Sequence, residues 1–239
     1  MTNVLDGARR TQILFSILAA LLWGSQAPAQ ARWYVSMRGT DTLSLERFER
    51  AGDTITGVWV TYHIGAQRQI WRHEYTIALA ADDRARSVHM LFRRPDSAVA
   101  ITYDARFGND TVVVTQTPDT LAPHRIAAQR GYPLLGMSIA MYELFLGGAR
   151  AGKQPSDSGS VVVVPITGPF VAQRVSGAVL SSSAFRFEGP GSSTIFTGAH
   201  GAVDSLIIAG GRVATRRVDA FDIDAIARAA SRAADERAR

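Results

Sequence analysis

The chain has 239 residues, no cysteine and a formal charge of +5. Without cysteine it can hold neither a disulfide nor a thiolate metal site, and it can use neither a cysteine nucleophile nor a lipid attached at an N-terminal cysteine. Lys153 is the only lysine, and the many arginines are scattered rather than interleaved with aromatics along one stripe, so no nucleic-acid partner is expected.

Arg9 and Arg10 precede an apolar run at residues 13–23, shorter than the roughly 20 residues that a membrane-spanning helix requires. Small residues then offer cleavage sites at Ala27-Pro28-Ala29 and Ala29-Gln30-Ala31. Charge, short apolar run and small-x-small site in that order predict a secretory signal peptide over 1–29. The expectation is a secreted or periplasmic protein, a single β-rich domain over 30–239, with no transmembrane segment after cleavage.

Beyond the leader, hydrophobicity alternates with a period of two. Trp33, Val35 and Met37 fall on one face of a strand, and Leu43 and Leu45 continue it after a turn. The cleanest run is Trp71, His73, Tyr75, Ile77 and Leu79, opposed by Arg72, Glu74 and Thr76. Val88, Met90 and Phe92 follow, then Val99, Ile101 and Tyr103. One buried and one wet face is the mark of half-exposed antiparallel strands. The phrases GTDTL, AGDTI and GNDTV punctuate them: glycine admits positive φ, aspartate caps the turn, and threonine opens the next strand. A hairpin closed by IGAQR, with His63 opposite Gln69, sets Trp59 against His73 and Gly57 against Tyr75, so that the glycine leaves room for the tyrosine ring.

The stretch YPLLGMSIAMYELFLGG, residues 132–148, is apolar on nearly every side. Pro133 suits a first helical turn and Gly147-Gly148 a helix end. A helix apolar all round must be buried all round. After a polar loop at 151–160 come VVVVPIT, FVAQRVS, SAFRFEG, STIFTGA, VDSLIIA and RVATRRV, read as short strands, with Pro165 marking an end or bulge. A helix over about 222–234 closes the chain, capped by Asp222. The fold class expected is mainly β: a strongly curved antiparallel sheet or half-barrel of roughly ten strands, with the apolar helix in its concavity and a C-terminal helix.

Catalytic chemistry has one sequence foothold. GMSIA resembles a G-x-S-x-G nucleophile elbow, with Ser138 as nucleophile, His200 as base and Asp157 as acid. The elbow needs a parallel strand–turn–helix setting, whereas the alternation here is antiparallel and the motif ends in alanine. A hydrolase is therefore the least favoured reading, and no enzyme activity and no cofactor are expected. His63 and His73 could meet across a hairpin, but no histidine has ligand spacing, so no metal site is expected. Glu143 lies either at the solvent edge of the apolar helix or, if buried, must pair with an arginine such as Arg130 or Arg150 or stay protonated.

The segment GYPLLGMSIAMYELFL and the later HGAVDSLIIAGGRVATRRV are similar in layout to the periplasmic lipoprotein-carrier superfamily. They also resemble secreted β-rich modules of unknown function in GC-rich bacteria. The resemblance implies a concave face that holds lipid chains. On it rests the expectation of a soluble protein binding an apolar ligand, a lipid or acyl chain, between sheet and helix. The ligand-facing residues would be Trp59, Trp71 and Tyr75 from the sheet, with Met137, Met141 and Phe145 from the helix, methionine being adaptable to flexible chains. The alternative is a non-enzymatic structural or interaction module whose concave face is simply filled.

Overall fold

The computed structural model describes residues 30–63, 69–93, 100–118, 122–136, 138–150, 160–188, 192–198, 202–208, 211–226 and 228. The expected signal peptide and Met137 lie outside these residues. Ala31–Arg239 form one compact unit.

Among the described residues, fifteen strands and two helical segments alternate with short turns. The first half contains β1 (Arg32–Arg38), β2 (Asp41–Ala51), β3 (Thr54–His63), β4 (Gln69–Leu79), β5 (Ala85–Arg93), β6 (Ile101–Phe107), β7 (Thr111–Thr117) and β8 (His124–Ala127). After β9 (Tyr132–Leu134) comes the helix α1 (Ile139–Arg150). The second half contains β10 (Ser160–Pro165), β11 (Gln173–Ser181), β12 (Ala184–Glu188), β13 (Ser193–Thr197), β14 (Val203–Ile208) and β15 (Val213–Val218).

All fifteen strands belong to one sheet, in the order β8 to β1 followed by β15 to β9. Neighbours run antiparallel as consecutive strands, apart from β1 and β15, antiparallel but distant in sequence, and β9 and β10, which run parallel. The two outermost strands, β8 and β9, are consecutive in sequence. Five Cα steps join them, which span at most roughly 18 Å, so the sheet must curl until its edges approach. Gly131, in that link, shows the approach directly: a Cβ there would sit 3.2 Å from Val112 of β7 and 3.4 Å from Val164 of β10. The result is a strongly curved, unclosed sheet with α1 against its inner face.

The sequence-derived hairpin holds. His63 pairs with Gln69, Trp59 with His73 and Gly57 with Tyr75. The run from Trp71 to Leu79 faces inward, as do Val88, Met90 and Phe92. Gly39 and Gly52 take φ of +59° in the GTDTL and AGDTI turns, a conformation in which glycine carries no side-chain penalty.

Four features differ from expectation. The strand count is fifteen rather than ten, with the short strands β8 and β9 among those not read from the sequence. Tyr132–Leu134 is a parallel strand, not the first helical turn; Pro133 lacks a backbone N–H and is tolerated on this edge strand, and Gly136 at φ +47° turns the chain before α1 starts at Ile139. Helix α1 also continues through Gly147 and Gly148 to Arg150 instead of ending there. Finally, β1 buries Tyr34 and Ser36 deepest, not Trp33, Val35 and Met37. Both faces are covered here: Val35 and Leu45 lie on the outer side, in a second small core with Val60, Phe221 and Ile223. That C-terminal segment is helical at 223–226 and 228. Asp222 caps it as expected, its Oδ1 accepting the N–H groups of Asp224 and Ala225 at 2.9 Å each.

Candidate functional site at the helix–sheet interface

Helix α1 has no acidic residue in its first turn, where a negative charge would complement the N–H groups that have no partner within the helix. A strand supplies one instead. Glu46, on the inner face of β2 and 2% exposed, accepts the Ile139 N–H through Oε2 at 2.5 Å. Its Oε1 accepts the Ser138 and Tyr75 hydroxyls, each at 2.6 Å. Burial pushes the Glu46 carboxyl up to about 7, against the pull of the hydrogen bonds from Ser138, Tyr75 and the backbone. Burial and the neighbouring Glu46 likewise push the Tyr75 hydroxyl well up, which leaves it protonated and able to donate.

Tyr75 reaches Glu46 because of the glycine opposite it. A Cβ at Gly57 would lie 2.3 Å from the Tyr75 Cζ atom, inside the ring's own space. A matching arrangement in the second half places the Phe185 ring over Gly177, again at 2.3 Å from a would-be Cβ.

The second anchor runs from helix to sheet. Glu143, midway along α1, forms an ion pair with Arg32 of β1. It also accepts the Val203 N–H at 3.1 Å and the Tyr34 hydroxyl at 3.4 Å. Its partner is thus Arg32, not Arg130 or Arg150, because the helix turns this face toward β1 and β14. Tyr34 also donates to the Val203 carbonyl at 2.7 Å.

The residues singled out from sequence fall into separate groups around α1. Trp59 is 7% exposed and packs, tilted, against His73 at 4.8 Å, which continues to Phe92 at 4.9 Å; Trp71 meets Phe92 edge-on at 5.4 Å. The Trp59 ring also lies against Gly136, where a Cβ would come within 2.6 Å. Tyr75, Met141 and Phe145 are 3%, 2% and 2% exposed. Phe145 packs not on the Trp59 group but on Tyr132, Phe185 and Phe187. Ser138 is fully buried with Glu46 as its partner; His200 and Asp157 lie outside the described residues. Two inner-face atoms two residues apart on β3, Trp59 Nε1 and Thr61 Oγ1, are buried without a hydrogen-bond partner.

Glu46 is the residue that sequence reasoning missed. Leu43 and Leu45 set the apparent buried face of β2, which assigns Glu46 to water. No local capping pattern points to it, because it caps a helix start 93 residues away.

No helix among the described residues is long and apolar enough to cross a membrane. No family profile matches the chain, and no curated protein matches it. Among solved structures it is similar to a β-barrel-like protein of domain of unknown function DUF1849 from Brucella abortus, at 12% identity and a TM-score of 0.50, covering 81% of this chain and 97% of that one. At that identity the likeness is one of fold. It places this chain beside a β-rich domain of unknown function and does not single out the lipoprotein carriers.

Proposed function

We propose that this domain is a non-enzymatic, exported binding protein that takes an apolar ligand with a polar acceptor group, such as an acyl chain ending in a carboxyl or ester, between the sheet and α1. Export is supported by the leader pattern in residues 1–29, and the apolar part of the ligand by the aromatic and methionine side chains gathered around the helix. The observation that carries the reading is the pair of partnerless groups on the inner face of β3, Trp59 Nε1 and Thr61 Oγ1. Leaving a buried donor unpaired costs about 1–3 kcal/mol, and most buried polar groups avoid that cost. A ligand oxygen lodged beside β3 would accept from both. The carrier-like layout suggests the same face.

One observation favours the alternative of an interaction module with a filled interior: Tyr75, Met141 and Phe145 are at most 3% exposed. Thr61→Val separates the two. Replacing a partnerless hydroxyl by a methyl should leave the melting temperature equal or higher. In a ligand-binding protein the same change weakens uptake of a fluorescent fatty-acid probe. Wild-type protein that shows no saturable uptake of that probe would leave the filled module standing.

A further inference from the structure

We propose that Glu46 is a proton-operated latch on α1: the helix docks on the inner face with Glu46 protonated, and ionisation of Glu46 loosens it. The geometry accommodates the neutral acid fully. Its Oε1 is 2.6 Å from two hydroxyls, and a hydroxyl can accept as well as donate. The acid O–H can therefore donate a hydrogen bond to the Tyr75 or Ser138 oxygen while Oε2 keeps the Ile139 N–H. The ionised form also finds donors, but it is a full charge in a site closed to water.

Charged and titratable groups face Glu46 from each surrounding element. On β1 are Tyr34 and Arg32, the latter committed to Glu143. On β3 the facing residue is Trp59, which carries no charge. On β4 are Tyr75 and, one position beyond Trp59 in the same cross-strand row, His73. Helix α1 contributes Ser138 just before its start and the carboxylate Glu143, while Arg217 of β15 lies opposite Tyr34. No arginine among the described residues bonds to Glu46, so burial dominates and holds the docked carboxyl near 7, against 4.5 for an ordinary glutamate.

The direction follows from linkage. A carboxyl raised in the docked state stabilises docking fully below the ordinary value, and that stabilisation is lost as pH rises through the docked one. Docking is therefore tightest at pH 4.5 and below, weakens up to about 7 and is level above it. The latch concerns the helix alone and stands whether or not a ligand enters.

Hydrogen exchange of the Leu144 and Phe145 amides, corrected for intrinsic rates, reads the opening of α1. In wild type, protection should fall on the order of a hundredfold between pH 5 and pH 7, close to tenfold per unit for one proton, and then level off. Glu46→Gln copies the neutral acid in shape and hydrogen bonding, so its protection should stay high and flat over the same range. Protection that is flat in wild type overturns the latch. So does a pH dependence that survives in Glu46→Gln, which would belong to His73 or another group. If Glu46→Gln does not fold, the carboxyl carbon resonance of Glu46 in wild type decides: a midpoint well above 4.5 supports the latch, and one at or below 4.5 overturns it.

Discussion

Glu46 and Glu143 both join α1 to the sheet, one reaching from strand to helix and the other from helix to strand, but their surroundings differ in kind. Glu46 is closed off from water and meets neutral donors: two hydroxyls and the helix's own N–H. Glu143 sits at the margin, its side chain 15% exposed, opposite the Arg32 guanidinium at 28%. Water can solvate the second pair when either member is removed; it reaches the first only if the helix lifts. The same side-chain type thus serves as a charge-paired clip at the edge of the interface and as a titrating plug at its centre. What decides the role is access to water, not the number of hydrogen bonds.

Truncation should expose the difference most strongly. Glu46→Ala strands Tyr75, Ser138 and the Ile139 N–H in the core and leaves a hole, for an expected loss of about 3–5 kcal/mol in denaturant unfolding. Glu143→Ala frees an arginine that solvent can rehydrate but leaves one buried donor, the Val203 N–H, without its acceptor, so it should cost less, about 1–2 kcal/mol. Equal losses would break the comparison and mean that water enters the Glu46 site freely.

The comparison also shows which parts of the molecule were legible in the sequence. The β3–β4 hairpin was, because a strand with one wet face writes its register in period two, and Gly57 opposite Tyr75 makes sense only in that register. β1 and β2 misled, because Phe221 and Ile223 cover their outer side and give both faces an apolar stripe. The edge strand β9 was hidden by its length of three residues and by the helical periodicity that follows it. Glu46 was out of reach for a different reason. Its environment is made by β4 and by the start of α1, segments distant in sequence, and nothing in LSLERFER distinguishes it from a surface glutamate. Glu143 stood out because it interrupts an apolar run, yet its partner Arg32 lies 111 positions away and only the fold could choose it.

Two glycines sharpen the contrast at intermediate size. Gly57→Ala and Gly177→Ala each drive a methyl into an aromatic ring, Tyr75 or Phe185, and each should cost about 1–3 kcal/mol by overpacking. Only the first pushes a hydroxyl away from Glu46. The two variants should therefore melt alike, while Gly57→Ala alone shifts the titration of the Glu46 carboxyl carbon. A matching shift in Gly177→Ala would show that general loosening, not the Tyr75 contact, governs Glu46.

The smallest expected effect belongs to Ser138. Were Ser138 only a small residue in the core, it would tolerate alanine almost without loss. The structure places its hydroxyl on Glu46 at 2.6 Å, so Ser138→Ala should cost about 1 kcal/mol. The loss should also depend on pH. This hydrogen bond favours the ionised carboxylate and lowers its titration point, so removing it raises that point further. Below it, the neutral acid can still pair with Tyr75 and loses little. Above it, the carboxylate has lost one of its few donors in a site without water. Denaturation of wild type and Ser138→Ala at pH 5 and pH 8 should thus give a larger difference at pH 8. An identical difference at both values would mean that Glu46 does not change charge across that range, and the contrast between the two carboxylates would rest on burial alone.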